Sequence, residues 1–135
     1  MKKKIAIIGA GIAGLTLANL IKKYTDHEFM VYEREESLSL EEGYAIKLAT
    51  NSVKILNKIN FEKINNEKIF HPKTIDFYNI QNEKISDLNL SKFNSSEVKY
   101  TTLQRSTLIE LLKEDIYTQH LRFGKKMKEV SELKD

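Results

Sequence analysis

An α/β protein opening on a β-α-β unit is predicted by three features that follow one another at the N-terminus. The first is Ile5-Ala6-Ile7-Ile8, a β-branched run without alternation, the pattern of a central parallel strand buried on both faces. Directly after it stands Gly9-Ala10-Gly11-Ile12-Ala13-Gly14, the spacing G-x-G-x-x-G. The third is a second strand, Glu28-Phe29-Met30-Val31-Tyr32-Glu33, which ends in an acid about 20 residues beyond the glycines.

Each glycine has a physical task in such a unit. Gly9 makes the tight turn, Gly11 lets a pyrophosphate approach the backbone, and Gly14 lets helix and strand pack closely. The following helix carries Ile12, Leu15, Leu17, Ala18, Leu20 and Ile21 as a broad apolar surface, and its free N–H groups and positive end face the phosphates. Glu33 stands where ribose hydroxyls would donate to a carboxylate. Glu35 and Glu36 read as solvated surface charges, the ordinary meaning of an acidic run. A Rossmann-like dinucleotide-binding unit is the reading that explains all three features.

The lysine cluster ahead of this apolar run also resembles the start of a secretory signal. No small-residue cleavage site follows, however, and three glycines, Thr16 and Asn19 interrupt the run. A transmembrane span is excluded because about 18 unbroken apolar residues are needed.

The 135 residues, 41% hydrophobic and 30% charged, are enough for one globular domain with a core. The net charge of +3 comes from lysines spread along the chain and balanced by nearby glutamates, which argues against a nucleic-acid groove. Without cysteine there is no disulfide and no thiolate chemistry. His27, His71 and His120 lack metal-ligand spacing, so no metal is expected. A cytoplasmic location, with neither membrane nor nucleic acid as partner, is the default expectation.

Beyond the second strand, Ser37 to Glu42 reads as a loop and Gly43 to Leu48 as a short strand. Asn51-Ser52 reads as the N-cap of a helix over Val53 to Ile59. Phe61 to Phe70 has no assignable period, and Pro72 ends it. Thr74 to Ile80, Asn82-Glu83 and Lys84 to Ser86 read as strand, turn and strand of a hairpin. Leu88 to Glu97 reads as a polar linker, Val98 to Leu103 as extended, and Ser106 as the cap of a helix from Thr107 to Ile116. His120 to Val130 reads as a strand, a break and the start of another. Phe77 and Tyr100 are expected to pack rather than to touch a substrate.

With these pieces in order, the chain resembles the N-terminal part of the FAD-dependent aromatic-ring monooxygenases, the para-hydroxybenzoate hydroxylase-like group that includes tetracycline-inactivating flavoenzymes. The likeness rests on IAIIGAGIAGLTLANLI with VYERE, on GYAIKLATNSVKIL, and on LQRSTLIELL. It implies a glutathione-reductase-type FAD-binding unit and the beginning of a substrate-domain β-sheet, incomplete relative to the full family fold. In domain terms, 1–70 would be the nucleotide unit, 71–100 the start of the substrate sheet, and 101–135 a return to the FAD-binding domain.

By the same resemblance, Gly9, Gly11 and Gly14 face the pyrophosphate, with Ile12 and Ala13 in the same cofactor-binding loop. Glu33 takes the adenosine ribose, Arg34 the adenine side, and Arg105 the flavin portion. The implied activity is hydroxylation of a small aromatic molecule using FAD, with NAD(P)H as electron donor. No catalytic side chain is assigned. Two later family motifs, an Asp-Gly and a Gly-Asp segment, are absent from these residues, so the chain alone is expected to be inactive, with a second chain open as the partner that completes the fold. A non-catalytic or truncated nucleotide-binding module, or another FAD or NAD oxidoreductase, are the alternative readings.

Overall fold

The computed structural model describes residues 1–38 and 44–132. The chain divides into two compact units, residues 1–40 with 112–135 and residues 41–111.

The first unit is built on parallel pairing. Strand β1 (Lys4–Ile8) leads through the glycine loop into helix α1 (Ile12–Tyr24), which returns the chain to strand β2 (Glu28–Tyr32). β1 and β2 pair in parallel from Lys4 opposite Glu28 to Ile8 opposite Tyr32. The short strand β8 (Leu121–Arg122) pairs in parallel on the other side of β2, giving the order β1-β2-β8. Thus β2, with Phe29 and Val31 buried, is the central strand. The expectation that β1 is buried on both faces is corrected: among the described residues it pairs on one side only, Ile7 alone is buried, and Ile8 is 52% exposed.

Helix α1 buries Leu15, Ala18, Asn19 and Ile21, while Leu17 stays exposed, so its apolar contact face is narrower than the sequence pattern. Asn19 is the polar member of that face. Its Nδ2 donates to Leu15 O at 2.9 Å and to Leu112 O at 2.7 Å, which satisfies the buried amide. Lys22 Nζ donates to Asp115 O and lies over the Tyr117 ring, 4.0 Å from its centroid. Phe29 packs against His120, ring centroids 4.7 Å apart.

In the second unit, β3 (Ala45–Leu48) and β4 (Ile69–Phe70) both pair antiparallel with β7 (Thr101–Gln104). Helix α2 (Thr50–Leu56) starts earlier than expected, with Ala49 as its N-cap and no side-chain cap. Ala49 O accepts from Ser52 N and Val53 N, which places Asn51 and Ser52 inside the first turn; the expected end of the helix is the 3₁₀ turn Asn57–Ile59. The unassigned stretch after it holds two further 3₁₀ turns, Phe61–Lys63 and Asn66–Lys68, with Phe61 and Ile64 buried. Part of the loop expected at Ser37 to Glu42, and Gly43 of the expected strand, lie outside the described residues.

The hairpin forms from β5 (Thr74–Tyr78) and β6 (Lys84–Asn89). Asn79 organises its turn: its Oδ1 accepts from Gln81 N and Glu83 N, while Asn82 takes φ +62°. Phe77 is half exposed, contrary to the packing role expected of it, whereas Tyr100 meets Phe93 edge to face. The expected polar linker from Leu88 is also corrected. β6 runs on to Asn89, and a 3₁₀ turn at Leu90–Lys92 carries a fully buried Leu90. Helix α3 (Arg105–Glu114) begins at Arg105, so Ser106 lies in its first turn rather than before it. The second strand expected after His120 does not form among the described residues; Gly124, at φ +63°, turns the chain there.

Candidate nucleotide-binding loop

The turn from β1 to α1 brings the glycines and the acid together. Gly9 adopts φ +99°, a conformation L side chains rarely take, and its N–H donates to Tyr32 O at 2.8 Å. The loop thereby extends the β1–β2 pairing to the residue before Glu33. Gly14 sits where an added Cβ would collide with the Gly9 carbonyl oxygen and come within 3.3 Å of Ile7 Cγ2. Close approach of α1 to β1 therefore requires glycine at this position.

In front of Gly9 and Gly11 the situation is the opposite. A Cβ on either would meet nothing within 4 Å. Gly11 is the N-cap of α1, no side chain caps it, and no acid stands in the first turn. The first N–H groups of this 13-residue helix thus have no side-chain cap and no acid in the first turn to compete for them. Such a terminus fits the diphosphate of a dinucleotide. Ile12 and Ala13 supply two of those N–H groups.

Glu33 reaches into this loop. Its Oε2 accepts from Ala10 N at 2.7 Å and its Oε1 from Glu35 N at 3.1 Å. A carboxylate has about four acceptor positions, so each oxygen keeps capacity for a ribose hydroxyl. Partial burial raises the Glu33 pKa, but the N–H groups of Ala10, Glu35 and Arg34, with the Arg34 charge, outweigh it and hold the carboxyl below its ordinary range. The folded state therefore prefers the ionised form. Its contribution to stability is complete above the ordinary glutamate pKa of about 4.3 and is lost as pH falls through that value and below. In urea titrations the stability difference between the parent and Glu33→Gln is accordingly expected to be largest near neutrality and to shrink below about pH 4. A difference that grows on acidification would contradict the shift.

Arg34 is exposed and pairs with Glu35, Nε to Oε1 at 2.9 Å, a surface pair of small energetic weight. Arg105 belongs to the other unit, where it opens α3 and its N–H donates to Tyr44 O at 3.2 Å. The expected site residues of the first unit, Gly9, Gly11, Ile12, Ala13, Gly14, Glu33 and Arg34, thus lie on one loop and the strand end beside it.

Sequence reasoning missed the brace behind Glu33. Glu33 N donates to Arg122 O at 2.8 Å, Lys125 N to Glu33 O at 2.7 Å, and Gly124 N to Glu35 O at 3.0 Å. The only sequence signal for it is a glycine after a short stretch in which two apolar residues flank an arginine, Leu121-Arg122-Phe123-Gly124. Among the described residues no group of three His, Cys, Asp or Glu is placed to hold a metal, and no helix is long and apolar enough to cross a membrane.

Comparison with known proteins shows what the chain is similar to. Residues 7–41 match the family described as an NAD(P)-binding Rossmann-like domain. A FAD-dependent monooxygenase, anuJ of Penicillium roqueforti, is 34% identical over 71 residues, 51% of this chain and 8% of that protein. A putative FAD-containing monooxygenase from Photorhabdus luminescens superposes with a TM-score of 0.70 at 21% identity, covering 98% of this chain and 33% of that one. Klebsiella pneumoniae HpxO, solved with FAD and uric acid, superposes with a TM-score of 0.68 at 22% identity, covering 93% and 31%. The chain therefore spans about a third of the length of these two solved structures, and the fold similarity extends along nearly all of its own length.

Proposed function

We propose that this chain supplies the FAD-binding N-terminal segment of an NAD(P)H-dependent flavin monooxygenase acting on a small aromatic molecule. The observation that carries the reading is the Glu33 carboxylate held 2.7 Å from the Ala10 N–H, beside an uncapped helix N-terminus. The N–H groups of Gly11, Ile12 and Ala13 would bind the diphosphate, and Glu33 would accept from the ribose hydroxyls. Arg34 would flank the adenine, and Arg105 the flavin portion. When bound, FAD supplies the redox chemistry of hydroxylation, and the protein's part is to bind and orient it.

In this reading residues 1–70 and 101–135 serve the FAD-binding domain and residues 71–100 begin a sheet on the substrate side. Support for the latter is the exposed apolar set Phe77, Tyr78, Ile80 and Ile85 on a two-stranded hairpin, an arrangement of marginal stability alone. The uric acid in the Klebsiella complex supports a small-molecule substrate. A cytoplasmic location is part of the same proposal.

Calorimetry with three ligands tests it. ADP and FAD are expected to compete for one site on residues 1–135, with ADP retaining most of the binding energy and NADH binding more weakly than FAD. NADH binding tighter than FAD would favour an NAD-dependent oxidoreductase instead.

A further inference from the structure

Glu33 owes its place to a segment far from it in sequence. β8 ends at Arg122, yet the chain keeps contact with the strand end beyond it: Lys125 N donates to Glu33 O and Gly124 N to Glu35 O. The Lys125 bond depends on the turn at Gly124, which takes φ +63° immediately after the Gly124 N–H is anchored on Glu35 O. A Cβ there would stand 3.0 Å from Glu36 Oε1. The Glu36 side chain is exposed and free to move aside, so the backbone conformation, more than the contact, is what requires glycine.

We propose that Gly124 is a positioning residue for the nucleotide loop: by turning the chain at φ +63° it fixes the backbone of Glu33, and through the Glu33 carboxylate it fixes the Ala10 N–H. The relay runs from Gly124 and Lys125 to Glu33 and Glu35, and from Glu33 Oε2 to the glycine turn. As far as nucleotide affinity is concerned the inference rests on the function proposed above; the ordering of Ala10 does not.

Amide hydrogen exchange on the full chain tests it without ligand. In Gly124→Val, a β-branched residue at positive φ, exchange at Ala10 and Lys125 is expected to quicken about tenfold while Leu15 and Val31 keep their protection. Gly124→Asn, which tolerates this backbone conformation, is expected to restore the parent rate. Should the valine variant fail to fold, Gly124→Ala is the deciding variant, with the same pattern expected at smaller size. Unchanged exchange at Ala10, or equal acceleration at Ala10 and Leu15, would overturn the relay.

ADP calorimetry then tests the functional half. Gly124→Val is expected to weaken ADP binding about tenfold in the parent and to have no further effect in Glu33→Ala, because both act through one carboxylate. Additive losses would overturn action through Glu33. Absence of ADP binding by the parent would overturn the proposed function while leaving the exchange result to decide the positioning role.

Discussion

Replacing Gly14 by valine is expected to unfold the first unit or to lower its stability by about 3 kcal/mol or more, the upper end of what overpacking costs. Two effects oppose each other at this position. A glycine near the start of a helix is replaced by a residue of better helix propensity, which contributes at most about 1 kcal/mol. Against it, the new Cβ meets the Gly9 carbonyl, a backbone atom fixed by the bond from Gly9 N to Tyr32 O, with Ile7 Cγ2 next nearest at 3.3 Å. Neither neighbour is the end of a flexible side chain, so α1 has to move off β1. That motion would uncover Leu15, Ala18 and Ile21, all buried. Urea denaturation measures the loss. A midpoint within error of the parent would show that the close approach is not required.

Gly11→Ala is the informative contrast. Its Cβ points into open space and its φ of −77° suits any residue, so stability is expected to stay near that of the parent while ADP affinity falls. The two glycines, three residues apart, thus separate a packing requirement from a ligand requirement.

The second large effect is expected at Glu33. A charge-assisted hydrogen bond contributes about 1.5 to 3 kcal/mol, so Glu33→Ala should weaken ADP binding roughly tenfold to a hundredfold. The variant also leaves the Ala10 and Glu35 N–H groups without their acceptor. Glu35 is exposed, so water replaces its acceptor, whereas Ala10 is buried and its N–H is left unsatisfied, so the accompanying loss of stability is expected to be about 1 to 3 kcal/mol. Glu33→Gln keeps an acceptor oxygen without the charge and should fall between the two. Calorimetry with ADP checks the order; equal affinities for parent and alanine variant would remove the ribose assignment.

The β1-loop-α1-β2 sequence was legible because every signal in it is local. Glycine spacing, an unalternating β-branched run and a terminal acid all lie within a single supersecondary unit, where sequence distance and spatial distance agree. The misreadings have the opposite character. Whether β1 or β2 is central is decided by β8, a two-residue strand whose partners Val31 and Tyr32 lie far back along the chain. A strand that short has no period to read. Leu90 sits in a polar stretch, Asn89-Leu90-Ser91-Lys92, and is buried because a 3₁₀ turn directs it inward.

Helix starts failed for a related reason. Asn51 and Ser52 are good capping residues by type, yet the Ala49 carbonyl receives the first helical bonds, and side-chain preference yields to where the chain leaves β3. At the site, the acid was legible and its brace was not. Gly124 announces a turn, but nothing local says that the turn returns to Glu33 and Glu35.

The central claim is that the glycine loop and Glu33 together hold the ADP half of a dinucleotide. Titrating ¹⁵N-labelled protein with ADP and following every amide tests it most directly. The account predicts saturable shifts, with one common dissociation constant, at Gly11, Ile12, Ala13 and Glu33, and smaller ones at Ala10 and Gly124. Saturable shifts confined to residues 45–104, or none at about 10 mM ADP, far above the millimolar limit of weak specific binding, would contradict it.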